Sequence, residues 1–478
     1  MQVEFESCYR ALRARDPRFD GRFFVGVAST RVYCRPVCRV RAPKRENCRF
    51  FPSAAAAEAA GYRPCLRCRP ELAPGFAAVD ADGRLVQAAG DLIENNLGSE
   101  QGLAGVAARL GVTSRHLRRV FQAYLGASPV QFARTQRLLL AKRLLTDTSM
   151  SVTDVARAGG FGSRRRCEAL LRSRYRLTPS AVRGDMAAQE PGDALAFQLG
   201  FRPPLDWTAL LAFLERRAIA GVEQIDGSVY RRTVQIERTG GQAGGWVAVG
   251  LARRTAHLEV RVSASLVGSL PSVFARIKRQ FDLGCDPEEV SSALGVLAAG
   301  RPGLRVPGAF DGFEIAVRAV LGQQVTVKAA RTLAGRFATA FGEPCATPFD
   351  GLNRLFPDPD RVAALQVPDI AALGVVSARA NAIRSLAGAM ASGALRLDPG
   401  VEPEATLERL RRLPGVGEWT AQYVAMRALA WPDAFPHSDH GVLKALGETD
   451  PRRALQRAAA WRPWRAYAVM HLWRSLEG

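Results

Sequence analysis

The sequence predicts a multidomain, mainly α-helical protein in four parts: a small four-cysteine zinc domain, a double helix-turn-helix, a small α+β domain with an antiparallel sheet, and an all-α helix-hairpin-helix domain. Three observations predict it. The chain has 478 residues, three or four domains at about 100–200 residues each. Two close cysteine pairs stand near its start, and a helical pattern repeats between residues 103 and 170. With 47% hydrophobic and 23% charged residues, the composition is that of folded rather than disordered protein.

Lys and Arg number 66 against 45 Asp and Glu, a net charge of +21. A polyanion is the expected partner, and charge alone is consistent with DNA, RNA or a membrane surface. Lys stands only at positions 44, 142, 278, 328 and 444, an Arg bias that genomic base composition also produces. The distribution says more: +7 over residues 1–80 and +8 over 81–190, against +6 over all of 191–478. No run approaches the roughly 18 apolar residues of a membrane helix, and the opening MQVEFESCYR carries acids where a signal peptide has an apolar core. The expectation is a cytoplasmic protein with no membrane partner. Nine cysteines in such a chain point to metal binding or thiol chemistry rather than disulfides.

Four of the nine fall as Cys34-x3-Cys38 and Cys65-x2-Cys68, with 26 residues between the pairs. Each pair can chelate one ion from a tight turn, and four thiolates suit tetrahedral Zn²⁺. One zinc held by Cys34, Cys38, Cys65 and Cys68 is therefore expected. SAAAAEAAG, between the pairs, reads as one short helix ending at Gly61. Cys48 is a fifth thiol in the segment but stands single, and Cys8, Cys167, Cys285 and Cys345 read as core cysteines. From spacing alone, the ion either only staples a small fold or also activates a thiol. The run DPRFDGRFFVGVASTRVYCRPVC through RENCRFF to GYRPCLRCRPEL resembles the N-terminal domain of the Ada family of alkylation-response proteins over roughly 65 residues. The resemblance implies that Cys34 takes a methyl group from a methylphosphotriester in DNA, once and irreversibly. Zinc keeps a thiol deprotonated at neutral pH, and thiolate is the nucleophile. Methylation would also remove one negative charge beside the phosphate. Cys48 departs from the family pattern, which has an apolar residue there.

After the connector LAPGFAAVDADG the chain repeats itself. Aligning LAGVAARLGVTSRHLRRVF (103–121) with VTDVARAGGFGSRRRCEAL (152–170) places Ala107 over Ala156, Gly111 over Gly160 and Ser114 over Ser163. Each copy reads as a helix, a glycine turn, a Ser N-cap and a second, basic helix, closed by Ser128-Pro129 or Thr178-Pro179. One copy alone would read as a solvated helical pair. Two copies joined by FARTQRLLLAKRLL resemble the AraC-type DNA-binding domain over 83–186, with recognition helices near 114–123 and 163–172. Arg115, Arg118, Arg119, Arg164, Arg165 and Arg166 are then the candidates for groove or phosphate contact.

MAAQEPGDA (186–194) reads as a polar linker, beyond which the texture changes. Alternating segments (SVYRRTVQIER, GWVAVGLARR, AHLEVRVSA) and helices (DWTALLAFLERRAI, PSVFARIKRQF) predict the α+β domain, and the remainder is helical. ATLERLRRL, PGVG (414–417) and EWTAQYVAMRALA form a helix, hairpin and helix in which Gly415 and Gly417 permit close backbone approach to one DNA phosphate. Downstream, FPHSDHGVLKAL places Asp439 before a helix, where it serves at least as an N-cap. With RPGLRVPGAFDGFEIAVRAVLGQQV and WRPWRAYAVMHLW, this half resembles the 3-methyladenine DNA glycosylase II (AlkA) type of helix-hairpin-helix enzyme from about 195 to 478. The resemblance implies that Asp439 is the catalytic carboxylate and that Trp419, Tyr423 and Trp473 line a base pocket. It also implies that the loop Leu321–Gln324, with Gln323 and Gln324, meets DNA and fills the gap left by a flipped nucleotide. Aromatic faces suit cationic alkylpurines.

Trp419 stands where relatives that also cut the strand carry a Schiff-base Lys, so monofunctional hydrolysis is expected. No Cys lies beyond Cys345 for an iron–sulfur cluster, and no Pro-Cys-His-Arg methyltransferase motif occurs. His437 and His440 read as surface residues. The expected domains are 1–80 (zinc), 83–186 (double helix-turn-helix), 193–282 (α+β) and 283–478 (glycosylase). The leading expectation is an alkylation-damage response protein with methyl acceptance, transcriptional regulation and excision of 3-methyladenine and 7-methylguanine. Its partners would be alkylated and promoter double-stranded DNA and RNA polymerase, and it would act as a monomer. The alternative is a DNA-binding regulator with a purely structural zinc site and a non-catalytic glycosylase-like half.

Overall fold

The computed structural model describes residues 4–75, 81–95, 102–184, 193–238, 241–253, 255–398 and 400–476. Residues 76–80 of the first connector and most of the polar linker at 186–194 lie outside the described residues.

The first module is a helix, Phe5–Ala14, on a four-stranded sheet of β1 (Phe24–Val27), β2 (Val32–Cys34), β3 (Cys48–Phe51) and β4 (Arg63–Pro64), ordered β3-β1-β2-β4. The β1 strand pairs antiparallel with β2 in a local hairpin and with β3 on its other edge, across more than 20 residues of sequence. The parallel β2/β4 pairing sets Val32 beside Arg63 and Tyr33 beside Pro64. That contact brings Cys34, ending β2, next to Cys65, just past β4. The predicted short helix is Ala54–Ala59, N-capped by Ser53, and Gly61 leaves it at φ 85°.

The repeated units form as their sequence implies. In the first, Gly111 (φ 67°) turns Leu103–Arg109 into Ser114–Leu125; in the second, Gly160 (φ 68°) turns Val152–Ala158 into Arg164–Tyr175. Ser163 caps the second unit's helix, as the repeat predicts. In the first, Thr113 takes the cap and Ser114 becomes the first helical residue, because Thr113 Oγ1 accepts from His116 N. The joining helix, Pro129–Asp147, opens with a capping box between Ser128 and Gln131 and buries Leu138, Ala141, Leu144 and Leu145.

The α+β domain is a five-stranded antiparallel sheet, β5 (Ala194–Gly200), β6 (Glu223–Asp226), β7 (Val229–Arg238), β8 (Gly241–Leu251) and β9 (His257–Ser263), ordered β5-β9-β8-β7-β6. Alternate residues Leu258, Val260 and Val262 bury one face of β9, and the helices Trp207–Glu215 and Leu270–Gln280 supply further buried apolar side chains. A buried ion network joins this sheet to the helix Gly312–Leu321: Arg318 meets Glu223 at 2.7 Å and Glu314 at 3.0 Å, and Arg232 meets Glu314 at 2.5 Å. Helices make up nearly all the rest.

The two halves share one apolar core. Arg143, on the joining helix, points into the α+β domain: its guanidinium lies 4.3 Å from the Phe274 ring centroid and 5.4 Å from that of Phe197, and it donates to the Gln198 carbonyl. The zinc module meets the other half through Arg22 with Asp286 and through Arg18 with Glu288 at 3.1 Å. A Cβ on Gly200 would fall 2.0 Å from the Leu72 carbonyl oxygen, so only glycine permits that backbone approach.

Candidate functional sites

The sulfur atoms of Cys34, Cys38, Cys65 and Cys68 all lie within 4.8 Å of one another. Four converging thiols with no carboxylate or imidazole in the set fit zinc. The Arg35 amide donates to Cys68 Sγ at 3.3 Å, and the Arg35 side chain is buried against Asp20, with Nε 2.8 Å from Oδ1. This places an oriented N–H and a neutralised cation immediately around the sulfurs. Cys34 is only 5% exposed, whereas Cys68 is half-buried. Cys48 lies outside the cluster, its thiol directed at the Lys44 carbonyl at 3.4 Å.

All six arginines singled out on the repeated units are exposed. Arg164 pairs with Glu168 at 2.7 Å, and Arg119 lies 3.2 Å from His116 Nδ1. Arg166 borders a cleft of about 560 Å³ between the units, lined also by Phe161, Val130 and Arg137.

In the helical domain, Pro403–Arg411 and Glu418–Arg427 flank the PGVG hairpin. Gly415 has φ 74°, and a Cβ there would sit 2.9 Å from the Ala382 Cβ. Gly417 forms the N-cap of the second helix. The Gln323 amide is committed to this hairpin, donating to the Gly415 carbonyl at 2.9 Å and Thr420 Oγ1 at 2.8 Å. Gln324, with φ 53°, is exposed, whereas Leu321 is buried in the core. In the stretch from Leu321 to Gln324, Gln324 is therefore the residue that projects.

Trp419, Tyr423, Asp439 and Trp473 line one cavity of about 1280 Å³. Asp439 is the N-cap of His440–Leu446, accepting from Val442 N at 3.0 Å. It also accepts from both tryptophans: Trp473 Nε1 reaches Oδ1 and Trp419 Nε1 reaches Oδ2, each at 2.8 Å. Trp419 and Tyr423 stack at 5.3 Å and 16°, with Trp473 6.4 Å from Tyr423. Burial would raise the Tyr423 phenol, but Arg427, Arg217 and Arg318 outweigh it and hold it below its ordinary value; Arg427 Nη1 donates to its oxygen at 2.8 Å. His440, expected at the surface, is exposed but lines this cavity beside Asp439. Sequence reasoning did not single out Arg217, Arg318 or Arg427, which come from separate helices or the turn after one; their only sequence signal is an unusual number of Arg in apolar helices. Among the described residues, no helix is long and apolar enough to cross a membrane.

Four family models match successive stretches: the metal binding domain of Ada over residues 7–71, a helix-turn-helix domain over 106–185, the AlkA N-terminal domain over 196–311, and the HhH-GPD superfamily base excision DNA repair protein over 317–465. A probable bifunctional transcriptional activator/DNA repair enzyme AlkA of Mycobacterium tuberculosis is 39% identical over 492 residues, spanning 100% of this chain and 97% of the relative. DNA-3-methyladenine glycosylase 2 of Escherichia coli is 37% identical over 281 residues, 58% of this chain and 96% of its own length. The bifunctional transcriptional activator/DNA repair enzyme Ada of Escherichia coli is 33% identical over 153 residues, 32% of this chain and 41% of its own length.

Proposed function

The chain belongs to the family of bifunctional transcriptional activator/DNA repair enzymes of the AlkA type, and from that premise we propose that it accepts methyl groups from DNA methylphosphotriesters at Cys34, activates transcription through its two helix-turn-helix units, and excises alkylated bases by hydrolysis. The observation that carries the enzymatic part is Asp439 held by Trp419 and Trp473 in a cavity walled by aromatic rings.

The flipped base enters the cavity against Trp419, Tyr423 and Trp473, where cation–π attraction is worth roughly 0.5–2 kcal/mol per ring for a cationic alkylpurine. As the glycosidic bond breaks, positive charge grows on the sugar, and the Asp439 carboxylate opposes it. Oδ1 already accepts two hydrogen bonds and Oδ2 one, so Oδ2 has the spare capacity to receive a proton from the attacking water. The hairpin at Gly415 and Gly417 holds a DNA phosphate, and Gln324 occupies the space vacated by the nucleotide. With Trp419 in place of a Schiff-base Lys, the product is an abasic site in an uncut strand.

At the other end, Cys34, Cys38, Cys65 and Cys68 would hold one zinc, which when bound supplies thiolate at neutral pH. Cys34 Sγ attacks the methyl carbon, the C–O bond breaks, and the phosphodiester leaves as an anion. The exposed arginines of both units meet promoter DNA, RNA polymerase is the partner in activation, and the protein acts as a monomer. A purely structural zinc site is the second reading, favoured by the burial of Cys34. Incubation of the full chain with methylated duplex DNA, followed by intact mass and chromatography of released bases, tests both halves. A mass gain of one methyl and release of 3-methyladenine and 7-methylguanine are expected.

A further inference from the structure

The cavity holds a cation that the reading above does not use. Arg217 lies just beyond the helix Trp207–Glu215 and lines the same space as Asp439 and Trp473. Its guanidinium sits 3.8 Å from the Phe213 ring centroid, and Nη1 donates to the Phe213 carbonyl at 3.2 Å. The Phe213 ring in turn stacks on Trp473 at 6.2 Å and 16°. Guanidinium and indole therefore both pack against one phenyl ring, and both border the cavity.

The neighbouring cations are provided for. Arg318 pairs with Glu223 and Glu314, and Arg427 is taken up by the Pro307 and Gly308 carbonyls and the Tyr423 oxygen. Among the described residues Arg217 has no carboxylate partner, and its Nε and Nη2 have no hydrogen-bond acceptor. Burial pulls it down to about 10, with Arg427, Arg216 and Arg318 adding repulsion against the Tyr423 oxygen. A half-buried guanidinium that lines a cavity with N–H groups unspent is placed to donate to an acceptor on a ligand.

We propose that Arg217 recognises the flipped base, donating from Nε and Nη2 to the O6 carbonyl of a 6-oxopurine and so favouring alkylated guanine over alkylated adenine. The proposal rests on the glycosylase reading and deepens it. A guanidinium offers only donors; O6 of guanine accepts, whereas N6 of adenine donates and would leave two donors face to face. Alkylation at N7 also acidifies the guanine N1–H, and its loss places negative charge on O6, which a 6-aminopurine cannot match.

The test uses full-length protein and one sample of methylated duplex DNA carrying both 7-methylguanine and 3-methyladenine, with both bases quantified in the same chromatogram. Arg217→Gln and Arg217→Met should lower the initial rate for 7-methylguanine relative to 3-methyladenine at least five-fold, and Arg217→Lys should recover part of that ratio. A general loss of folding or pocket packing lowers both rates together and leaves the ratio unmoved. An unchanged ratio in Gln and Met variants that still release either base overturns the proposal. Failure of the wild type to release either base overturns the glycosylase reading instead.

Discussion

Tyr175 Oη donates to Glu58 Oε1 at 2.9 Å, joining the second unit's basic helix to the zinc module's short helix across 117 residues of sequence. The same carboxylate accepts from Tyr33 at 3.1 Å and from Thr135 at 2.9 Å. Tyr33 precedes Cys34 on β2, and Thr135 lies on the joining helix. One buried carboxylate thus ties the strand bearing the candidate nucleophile to two helices of the DNA-reading domain, with three hydroxyl donors and no salt-bridge partner among the described residues.

Burial pushes Glu58 from 4.5 up to about 7 despite its three donors. The folded protein therefore keeps this proton where the unfolded chain has released it, so this group's contribution to stability falls as pH rises from about 4.5 to 7 and is flat above. Glu58→Gln should remove that slope. Between pH 5 and 8 its stability should gain on the wild type by up to about 3 kcal/mol, measured by urea denaturation. An equal slope in the variant would assign the titration to another group.

Asp439→Asn should retain DNA affinity within a few-fold and lose excision by roughly 10²–10³. In the proposed mechanism phosphate contact at Gly415 and Gly417 and charge stabilisation at Asp439 are separate tasks, and Asn still offers an oxygen to one indole. Single-turnover base release alongside binding to abasic-analogue DNA measures both. Near wild-type release would refute the assigned role of the carboxylate.

Exposure to methylphosphotriester DNA should add one methyl, found by peptide mapping on Cys34. Because Cys68 is more exposed than Cys34, label on Cys68 would reassign the nucleophile, and no label would leave the zinc site structural. Cys38→Ala should release zinc to a colorimetric chelator and unfold the module, since the metal supplies much of so small a domain's folding energy.

Arg143→Ala should uncouple the two halves. It removes a buried guanidinium from the Phe274 ring and the Gln198 carbonyl, a loss of about 2–4 kcal/mol. Calorimetry should show one thermal transition in the wild type and two in the variant. A single unshifted transition would mean that the shared apolar contacts suffice.

Much of this architecture is legible in the linear sequence, because its signals are short and local. Glycine turns at Gly111 and Gly160, the capping residues, two chelating pairs and a PGVG hairpin all specify their conformation within a few residues. The helix, turn and helix order of both repeats follows from them, with only the first cap shifted by one residue. Tertiary structure alone decided what lies beside what. The parallel β2/β4 pairing unites the cysteine pairs, two indoles 54 residues apart grip one carboxylate, and Leu321 turns inward while Gln324 projects. Arg217, Arg318 and Arg427 gather around Tyr423, and Arg143 locks one half to the other. Contacts between residues distant in sequence depend on how whole elements pack. Hydrophobic period and turn chemistry determine which elements form and which face is apolar, but not which polar side chains meet once those faces are buried.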